Sequence, residues 1–304
     1  MSAFRVSAIV ADAIAAGRPV VALESSVLAQ GLPVPTNREA AERMMGAVER
    51  SGAVPAVTAV VRGRCALGLE PAELERFLAR VGVRKVAARD LAVATALGAD
   101  GATTVSASLC IAGANGVAVF ATGGIGGVHR DAPFDESGDL FELARTPMMV
   151  VCAGAKSILD LSATLERLET LGVTVVGYRT DELPGFFTRT TGLRLAARAD
   201  TPAELAGIHL AARAIKRTQA TLVVQAPPAD VALPRDLVDE AVSAALREAK
   251  SAGVQGAAVT PFLLAAVERA TDGRSLRTNL GLLEENAALA GAIAVALSGA
   301  DDAT

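Results

Sequence analysis

Aromatic residues are scarce in this chain of 304 residues: they make up 3% of it, with no Trp and a single tyrosine, Tyr178. Because 51% of the residues are nevertheless hydrophobic, Ala, Val, Leu and Ile must supply the core. Cysteine is also rare, and Cys65, Cys110 and Cys152 are odd in number and widely separated. This spacing excludes a disulfide framework and matches no zinc-binding pattern, so we expect reduced thiols in a cytoplasmic protein.

The sequence also lacks an excess of positive charge. Its 29 Lys and Arg residues stand against 33 Asp and Glu residues, for a net charge of −4. Nucleic acids and anionic membranes attract proteins through a positive field, so we expect neither as a partner. Residues 1–19 hold Arg5 and Asp12 in an amphipathic pattern instead of the uninterrupted apolar stretch of an export signal.

The longest uncharged run, 101–128, is long enough to cross a membrane, which takes about 20 apolar residues. Thr, Ser and Asn side chains interrupt it, and four glycines between 123 and 127 would break a spanning helix. We therefore predict a buried helix, then a strand and a glycine-rich loop. The chain also lacks linkers, low-complexity runs and internal repeats, which favours a single domain over 1–304.

Runs of β-branched residues bounded by Gly and Pro alternate with helix-period segments along the chain. Six runs predict strands, at 19–25, 56–62, 116–122, 148–153, 173–178 and 220–225. Nine segments predict helices, at 37–51, 72–80, 89–97, 105–114, 157–170, 202–216, 235–252, 261–270 and 277–298. Several strands are apolar without alternation, as expected when helices cover both faces of a sheet. The pattern predicts an α/β fold: a three-layer α/β/α sandwich around a mostly parallel, mixed central sheet.

Ligands bind such sheets in the loops at the carboxyl ends of the strands. Four segments lie there: 24–26, 123–139, Lys156 and 178–179. Lys156 stands among small apolar residues at a strand-to-helix junction. Burial favours a neutral amine, which Schiff-base chemistry with a sugar aldehyde requires, although a structural lysine at a helix start is the alternative. Glu24, at a strand end, is a candidate general acid or base.

The glycine-rich segment 122–130 ends in His129 and Arg130. Its glycines allow backbone N–H groups to approach a ligand closely. A dinucleotide fingerprint would need a third glycine where His129 stands, so NAD binding is disfavoured. The spacing before Lys156 likewise does not fit a Walker phosphate loop.

An acidic group, Asp135, Glu136 and Asp139, follows this loop. Carboxylates with water suit a hydrated Mg²⁺ or Mn²⁺, and capping of a short helix by Ser137 or Asp139 is the alternative. Lys85 is either a phosphate ligand or a solvated cation. The turn at 101–105 precedes a helix whose first amides would suit an anion.

Taken together, these motifs resemble pseudouridine-5′-phosphate glycosidases, an indigoidine synthase A-like family, over nearly the whole chain. The resemblance rests on ordered sequence blocks at 22–26, 85–90, 101–105, 122–130, 134–140, 152–161, 177–178, 183–187, 260–264 and 275–280.

The resemblance implies a lyase that reversibly cleaves the C–C glycosidic bond of pseudouridine 5′-phosphate, giving uracil and ribose 5-phosphate. It also implies a cytoplasmic homotrimer that depends on Mn²⁺. The implied nucleophile is Lys156, the proton donor is Glu24, and the metal ligand is Asp135, with water completing the coordination. The implied substrate contacts are Lys85, Val105, Ser137, Gly138 and Asp139, with Thr104, Thr122, His129 and Asn279 as further candidates.

Two other functions remain open. A Schiff-base aldolase or lyase acting on another sugar phosphate would share Lys156 but would need no uracil pocket. A non-catalytic sensor of nucleotides or sugar phosphates would use the glycine loop only for binding.

Overall fold

A sheet of eleven strands runs through the computed structural model, which describes residues 3–130, 134–254 and 256–301. Its strands are β1 (Phe4–Val6), β2 (Val20–Leu23), β3 (Val54–Val61), β4 (Arg64–Leu67), β5 (Val83–Val86), β6 (Asp100–Thr103), β7 (Val119–Ala121), β8 (Met149–Cys152), β9 (Thr174–Tyr178), β10 (Ala197–Ala199) and β11 (Thr221–Gln225). The α-helices are α1 (Ala8–Ala15), α2 (Thr36–Arg50), α3 (Pro71–Leu78), α4 (Leu91–Ala96), α5 (Val105–Ala114), α6 (Gly138–Leu143), α7 (Leu161–Thr170), α8 (Pro202–Ala214), α9 (Arg235–Ser251), α10 (Val259–Ala270) and α11 (Arg274–Asp301).

The strand order is β1-β4-β3-β2-β7-β8-β11-β9-β10, with β6 paired to β3 and β5 paired to β6. From β3 to β10 the strands of this order run parallel, whereas β4 and β6 are antiparallel to β3. Because β6 runs against β3, its last residue, Thr103, arrives next to the carboxyl end of β2, where its hydroxyl lies 3.2 Å from that of Ser25. The mixed pairing thus places Thr103 and Ser25, which are distant in sequence, next to each other at the carboxyl end of β2.

Helices flank this sheet, and the predicted three-layer α/β/α architecture with a mostly parallel, mixed sheet is confirmed. Helix α11 packs on α2 and lies along β2, β7 and β8, while α5 packs on α6 and contacts β2, β3 and β6. Strands β2, β7 and β8 are buried along their whole length, which explains their apolar runs without alternation. The core is built mainly from Ala, Val, Leu and Ile, as predicted.

Two apolar segments are long enough to span a membrane, but both pack against the rest of the protein. The run 101–128 forms most of β6, which was not predicted, and then the predicted buried helix α5, strand β7 and the start of the glycine loop. Within the described residues, one helix is long and apolar enough to cross a membrane, at Arg274–Gly299 of α11. Since 61% of its most apolar window is buried inside the protein, we interpret α11 as a core helix.

All six predicted strands are present with shifted bounds, but β1, β4, β5, β6 and β10 were not predicted. These strands have three or four residues, and Arg or Lys interrupts the apolar run in most of them. The predicted helix start at 157 is wrong, because the Asp160 carboxylate accepts the Ala163 N–H and caps α7 at Leu161. Helices α1 and α6 also lie outside the predicted segments, and a 3₁₀ turn at Ala88–Asp90 replaces the start of the predicted helix 89–97.

Candidate active site

A cleft at the carboxyl end of β2 brings together the predicted proton donor, the predicted nucleophile and a second lysine. It is small and partly open to solvent, and four of the predicted site residues line it: Glu24, Lys85, Lys156 and Asn279. A larger cleft, next to α7, is lined by none of these four residues. Since a site is defined by convergent reactive groups and not by size, the smaller cleft is the candidate active site.

Glu24 lies at the base of this cleft and is only 4% exposed. Ser26 donates its hydroxyl hydrogen bond to Glu24 Oε2 at 2.5 Å, and the Thr122 hydroxyl donates to Glu24 Oε1. Ser26 follows β2, whereas Thr122 follows β7, so the orientation of the carboxylate depends on the pairing of these two strands. Both carboxylate oxygens are therefore satisfied, as a buried carboxylate requires.

A network of buried hydroxyl groups lies behind Glu24. The Thr58 hydroxyl on β3 is 2.9 Å from the Thr103 hydroxyl on β6 and 2.8 Å from that of Ser108 on α5. Ser25, beside Glu24, accepts a hydrogen bond from the Thr103 N–H at 2.9 Å. The network joins the end of β2 to the start of α5, and so fixes the position of Glu24 relative to that helix terminus.

Lys156 follows β8 in a loop that the neighbouring chain holds in place. Its N–H donates to the Ile125 carbonyl at 3.1 Å. Gly154 has a φ of +90°, and a Cβ there would lie 2.4 Å from the Pro184 carbonyl oxygen, so only glycine fits. Because α7 begins only at Leu161, Lys156 is not the helix-start lysine of the structural alternative; it is half-buried and faces the cleft.

Lys85 comes from β5, one of the strands that the sequence did not predict. Solvent reaches its side chain, yet the surrounding protein lowers the pKa of its amine through burial, and repulsion from Lys156 lowers it further. The charges of Glu24 and Asp139 act in the opposite direction. Lys156, Glu24 and Asp139 are therefore all close enough to Lys85 for their charges to act on its amine.

Asp139 connects three elements next to the cleft. Its Oδ1 accepts the Ser106 N–H in the first turn of α5, and its Oδ2 accepts the Gly126 N–H of the glycine loop, both at 2.9 Å. Its own N–H donates to the Ser137 hydroxyl at 3.2 Å, so Ser137 caps α6 as the alternative interpretation anticipated. Asp139 thus holds the start of α5, where Val105 lies, against the glycine loop.

The glycine loop is only partly available to a ligand. Gly123 and Gly124 line the cleft, as close approach of a ligand would require. Gly126 has a different role, because a Cβ there would lie 2.2 Å from the Ser137 hydroxyl. A Cβ at Gly127 would likewise lie 2.4 Å from the hydroxyl oxygen of Thr164, on α7. A Cβ at Gly124 would also lie 2.6 Å from the Phe186 ring, so the glycines at 124, 126 and 127 are each explained by packing within the protein.

The other predicted residues lie outside the lining of the cleft. Thr104 is the N-cap residue of α5, and its hydroxyl lies 3.0 Å from that of Ser106. His129 is half-buried, and its N–H donates to the Asp135 carbonyl at 3.0 Å. Gly138 is the exposed first residue of α6. The predicted loop 123–139 includes 131–133, which lie outside the described residues.

The acidic group does not form a metal cluster. Within residues 3–130, 134–254 and 256–301, no group of three His, Cys, Asp or Glu side chains could hold an ion. Glu136 pairs with Arg167 at 2.8 Å, and Asp139 already accepts two backbone hydrogen bonds. Asp135 keeps an exposed carboxylate. Such a donor fits only an ion that retains most of its water, as Mg²⁺ and similar hard cations often do.

The segment 178–179, the fourth predicted ligand segment, does not reach the candidate active site. Tyr178 and Arg179 line a different cleft, with the Arg179 guanidinium 4.9 Å from the centre of the Tyr178 ring. The sequence interpretation missed other residues that do line the site. They are Val27, Gln30, Gly31, Phe186, Thr260, Pro261 and Leu264.

Most of these missed residues carried no chemical signal in the sequence. Phe186 adopts a φ of +66°, and its N–H donates to the Ala153 carbonyl at 3.1 Å, so its position depends on the loop of Lys156. Gln30 lies in a π-helical turn, Val27–Gly31, which has no distinct periodicity. Thr122, directly after a strong strand, was a candidate from the resemblance, but nothing in the sequence connected its hydroxyl to Glu24.

The sequence matches the family model described as indigoidine synthase A-like protein over residues 9–296. The chain belongs to the indigoidine synthase A-like family. A curated relative from Gemmatimonas aurantiaca, named pseudouridine-5′-phosphate glycosidase, is 64% identical over 96% of each chain.

Two solved structures of this family's fold are also similar. The prealnumycin C-glycosynthase AlnA, in complex with ribulose 5-phosphate, is 38% identical, with a TM-score of 0.91 and 99% of both chains covered. An indigoidine synthase A-like protein from Thermotoga maritima is 37% identical, with a TM-score of 0.87, over 93% of this chain and 94% of the other. The expected family and fold are thus confirmed.

Proposed function

We propose that this indigoidine synthase A-like protein reversibly cleaves the C–C glycosidic bond of pseudouridine 5′-phosphate to uracil and ribose 5-phosphate, as a lyase of pseudouridine breakdown. The observation that carries the proposal is the convergence of Glu24, Lys156 and Lys85 on one cleft. The name of the relative from Gemmatimonas aurantiaca, at 64% identity, supports this substrate. The sugar phosphate bound to AlnA supports the same class of ligand.

The leaving atom explains why this site pairs a lysine with a single carboxyl group. Ordinary glycosidases use two carboxyl groups and protonate a leaving oxygen, whereas uracil here leaves from its carbon C5. In our proposal Glu24 gives a proton to O4′ as the C1′–O4′ bond breaks, and the Lys156 amine adds to C1′ and returns a proton to Glu24. Glu24 then delivers this proton to C5, and the nitrogen lone pair of Lys156 expels uracil as the bond between C1′ and C5 breaks. Water hydrolyses the resulting iminium to ribose 5-phosphate and frees the lysine.

The phosphate has a separate binding region in this proposal. Lys85 supplies a cation, and the amide of Val105 opens helix α5, whose N-terminus favours an anion. Ser137, Gly138 and Asp139 lie beside this terminus through the hydrogen bonds of Asp139. Binding energy from the phosphate would then position the distant glycosidic bond.

We also propose one Mn²⁺ ion per subunit, bound by Asp135 and otherwise by water. The ion would supply a positive charge beside the substrate, and the exposed single carboxylate supports weak, exchangeable binding. Dialysis against a chelator should lower the activity severalfold, and added Mn²⁺ should restore it. Asp135→Asn should weaken Mn²⁺ binding measured by electron paramagnetic resonance. Unchanged Mn²⁺ binding by Asp135→Asn would contradict this assignment.

We propose a cytoplasmic location, which the cysteines support. Cys65, Cys110 and Cys152 are free thiols. Burial raises the pKa of all three, in the case of Cys152 to about 12, which keeps them protonated and unreactive.

Incubation with pseudouridine 5′-phosphate and Mn²⁺ tests the reaction, with free uracil measured by chromatography. We expect uracil from the unaltered chain and at least a thousandfold slower release from Lys156→Ala and Glu24→Gln. If Lys156→Ala released uracil at the unaltered rate, the proposed covalent route would be wrong. If the unaltered, metal-loaded chain released none, another sugar phosphate would be the substrate.

A further inference from the structure

Two residues that line the cleft carry a buried amide oxygen without a hydrogen-bond partner. Among the described residues, six buried side-chain nitrogen or oxygen atoms lack a partner, and two of them, Gln30 Oε1 and Asn279 Oδ1, belong to residues that line the cleft. Buried polar groups are normally paired, so an unpaired one in a cleft calls for an explanation. Two unpaired acceptors on residues of one cleft would suit a ligand that donates two hydrogen bonds.

The neighbouring structure fixes which end of Gln30 is available. Gln30 Nε2 donates to the Val83 carbonyl at 3.4 Å, on the strand that carries Lys85. The amide group is therefore oriented with its oxygen left for a ligand. Asn279 lies on α11 and is 8% exposed. The two residues thus reach the cleft from separate elements.

The walls around these amides suit a flat ring. Val27, Phe186, Pro261 and Leu264 contribute apolar surface to the same cleft. Gly123 and Gly124 add backbone to the same wall, and a Cβ at Gly124 would lie 2.6 Å from the Phe186 ring, so the absence of a side chain there lets Phe186 pack against the loop. An apolar slot with a few oriented polar groups is the usual form of a base-binding site.

The chemistry of the proposed substrate matches this pair of acceptors. Uracil that is attached to ribose through C5 keeps both of its ring N–H groups, at N1 and N3. Uracil that is attached through N1, as in ordinary uridine, keeps only the N–H at N3. Two acceptors therefore distinguish the C-glycoside from the N-glycoside by one hydrogen bond.

We propose that Gln30 and Asn279 each accept a hydrogen bond from one ring N–H group of the base, and that Gln30 thereby acts as a specificity residue. This inference rests on the proposed function, because it takes the base to be uracil joined through C5. A site that is built to hydrogen-bond an N–H group rejects analogues that lack it, since its own acceptor is then left unpaired.

The test compares kcat/KM for three substrates: pseudouridine 5′-phosphate and its N1-methyl and N3-methyl derivatives. We expect the unaltered chain to cleave each methylated substrate at least tenfold less efficiently than the parent. Gln30→Met removes the acceptor while keeping a side chain of similar length. It should lower kcat/KM for the parent about tenfold and abolish discrimination against one methylated substrate only. Gln30→Glu keeps an acceptor oxygen and should retain that discrimination.

Gln219→Met is the matched control, because Gln219 Oε1 is also buried without a partner but lies outside the cleft lining. It should leave all three substrate ratios unchanged. If Gln30→Met also left the three substrate ratios unchanged, Gln30 would not contribute to recognition of the base. Should Gln30→Met fail to fold, inhibition of the unaltered chain by uracil, 1-methyluracil and 3-methyluracil decides the question. Equal inhibition by all three would overturn the proposal.

The outcomes separate this inference from the function on which it rests. If the unaltered chain releases no uracil from the parent substrate, the proposed function fails. If it releases uracil but treats the three substrates alike, the proposed function stands and only the assignment of Gln30 and Asn279 fails.

Discussion

The orientation of the Glu24 carboxylate depends on a contact that is distant in sequence. Its position after an apolar strand was enough to predict a general acid or base. Its two hydroxyl donors were not predictable as a pair, because Ser26 is two residues away and Thr122 is 98 residues away. Only the pairing of β2 with β7 brings them together.

Replacement of Thr122 by Val tests the importance of this pair. Valine keeps the shape but leaves Glu24 Oε1 without its hydroxyl donor, at a cost of about 1–3 kcal/mol. We expect kcat for uracil release to fall about tenfold or more, with little change in KM. Thr122→Ser keeps the hydroxyl and should keep most of the activity. Full kcat in Thr122→Val would show that this hydrogen bond does not orient Glu24 for catalysis.

Lys85 gives a prediction for the dependence on pH. Its pKa is lowered by burial and by Lys156, so it loses its positive charge at a lower pH than an ordinary lysine. Phosphate binding should therefore weaken, and KM rise, on the alkaline side as the pH passes this lowered pKa. Lys85→Arg stays charged throughout and should remove the rise. The measurement is KM against pH for both proteins, and identical profiles would contradict the role of Lys85.

At the scale of elements, the sequence predicts the buried strands and long helices well and the margins of the sheet poorly. Helix α5 was predicted with its observed bounds, 105–114. Strands β5 and β6, which bring Lys85 and Thr103 to the site, have only four residues each. Their pairing with the sheet is a long-range event, so no local periodicity reveals it.

Asp139 is the residue on which the arrangement of α5, the glycine loop and α6 depends. In Asp139→Asn one of the two backbone N–H groups would lose its acceptor, with a loss of about 1–3 kcal/mol in unfolding free energy. Because the start of α5 would shift, KM for the phosphate substrate should rise severalfold. Urea unfolding and steady-state kinetics give the two values.

The control for this prediction is Thr201→Ala, which removes the hydroxyl that caps α8 away from the cleft. It should cost about 1 kcal/mol and leave KM unchanged. A loss of stability in Asp139→Asn without any rise in KM would show that Asp139 has only a structural role.

At the scale of the whole molecule, one sheet runs through residues 4–225, and α11 returns to pack on its centre. The single domain over 1–304 stays a prediction from the sequence. The scarcity of aromatic residues predicted a core of small aliphatic side chains, which the structure confirms. Composition could not predict which side chains meet at the candidate active site, because this depends on where loops from several strands come together.

We also propose that the protein forms a homotrimer. Some large apolar side chains remain exposed on the single chain and favour burial at a subunit interface: Val93 on α4 and Leu97, directly after that helix, are 55% and 67% exposed. Analytical ultracentrifugation should give a mass about three times that of the 30.8 kDa chain. A species of 30.8 kDa that persists at micromolar concentration would contradict the trimer.

The covalent role of Lys156 is the central claim, and borohydride trapping during turnover tests it most directly. With pseudouridine 5′-phosphate as substrate, reduction should fix one ribose phosphate per chain, and peptide mass spectrometry should locate it on Lys156. Lys85, the other lysine that lines the cleft, is the internal comparison. A single modified peptide that contains Lys156 is the predicted result. Modification of Lys85 instead, or turnover with no trapped sugar, would contradict the account.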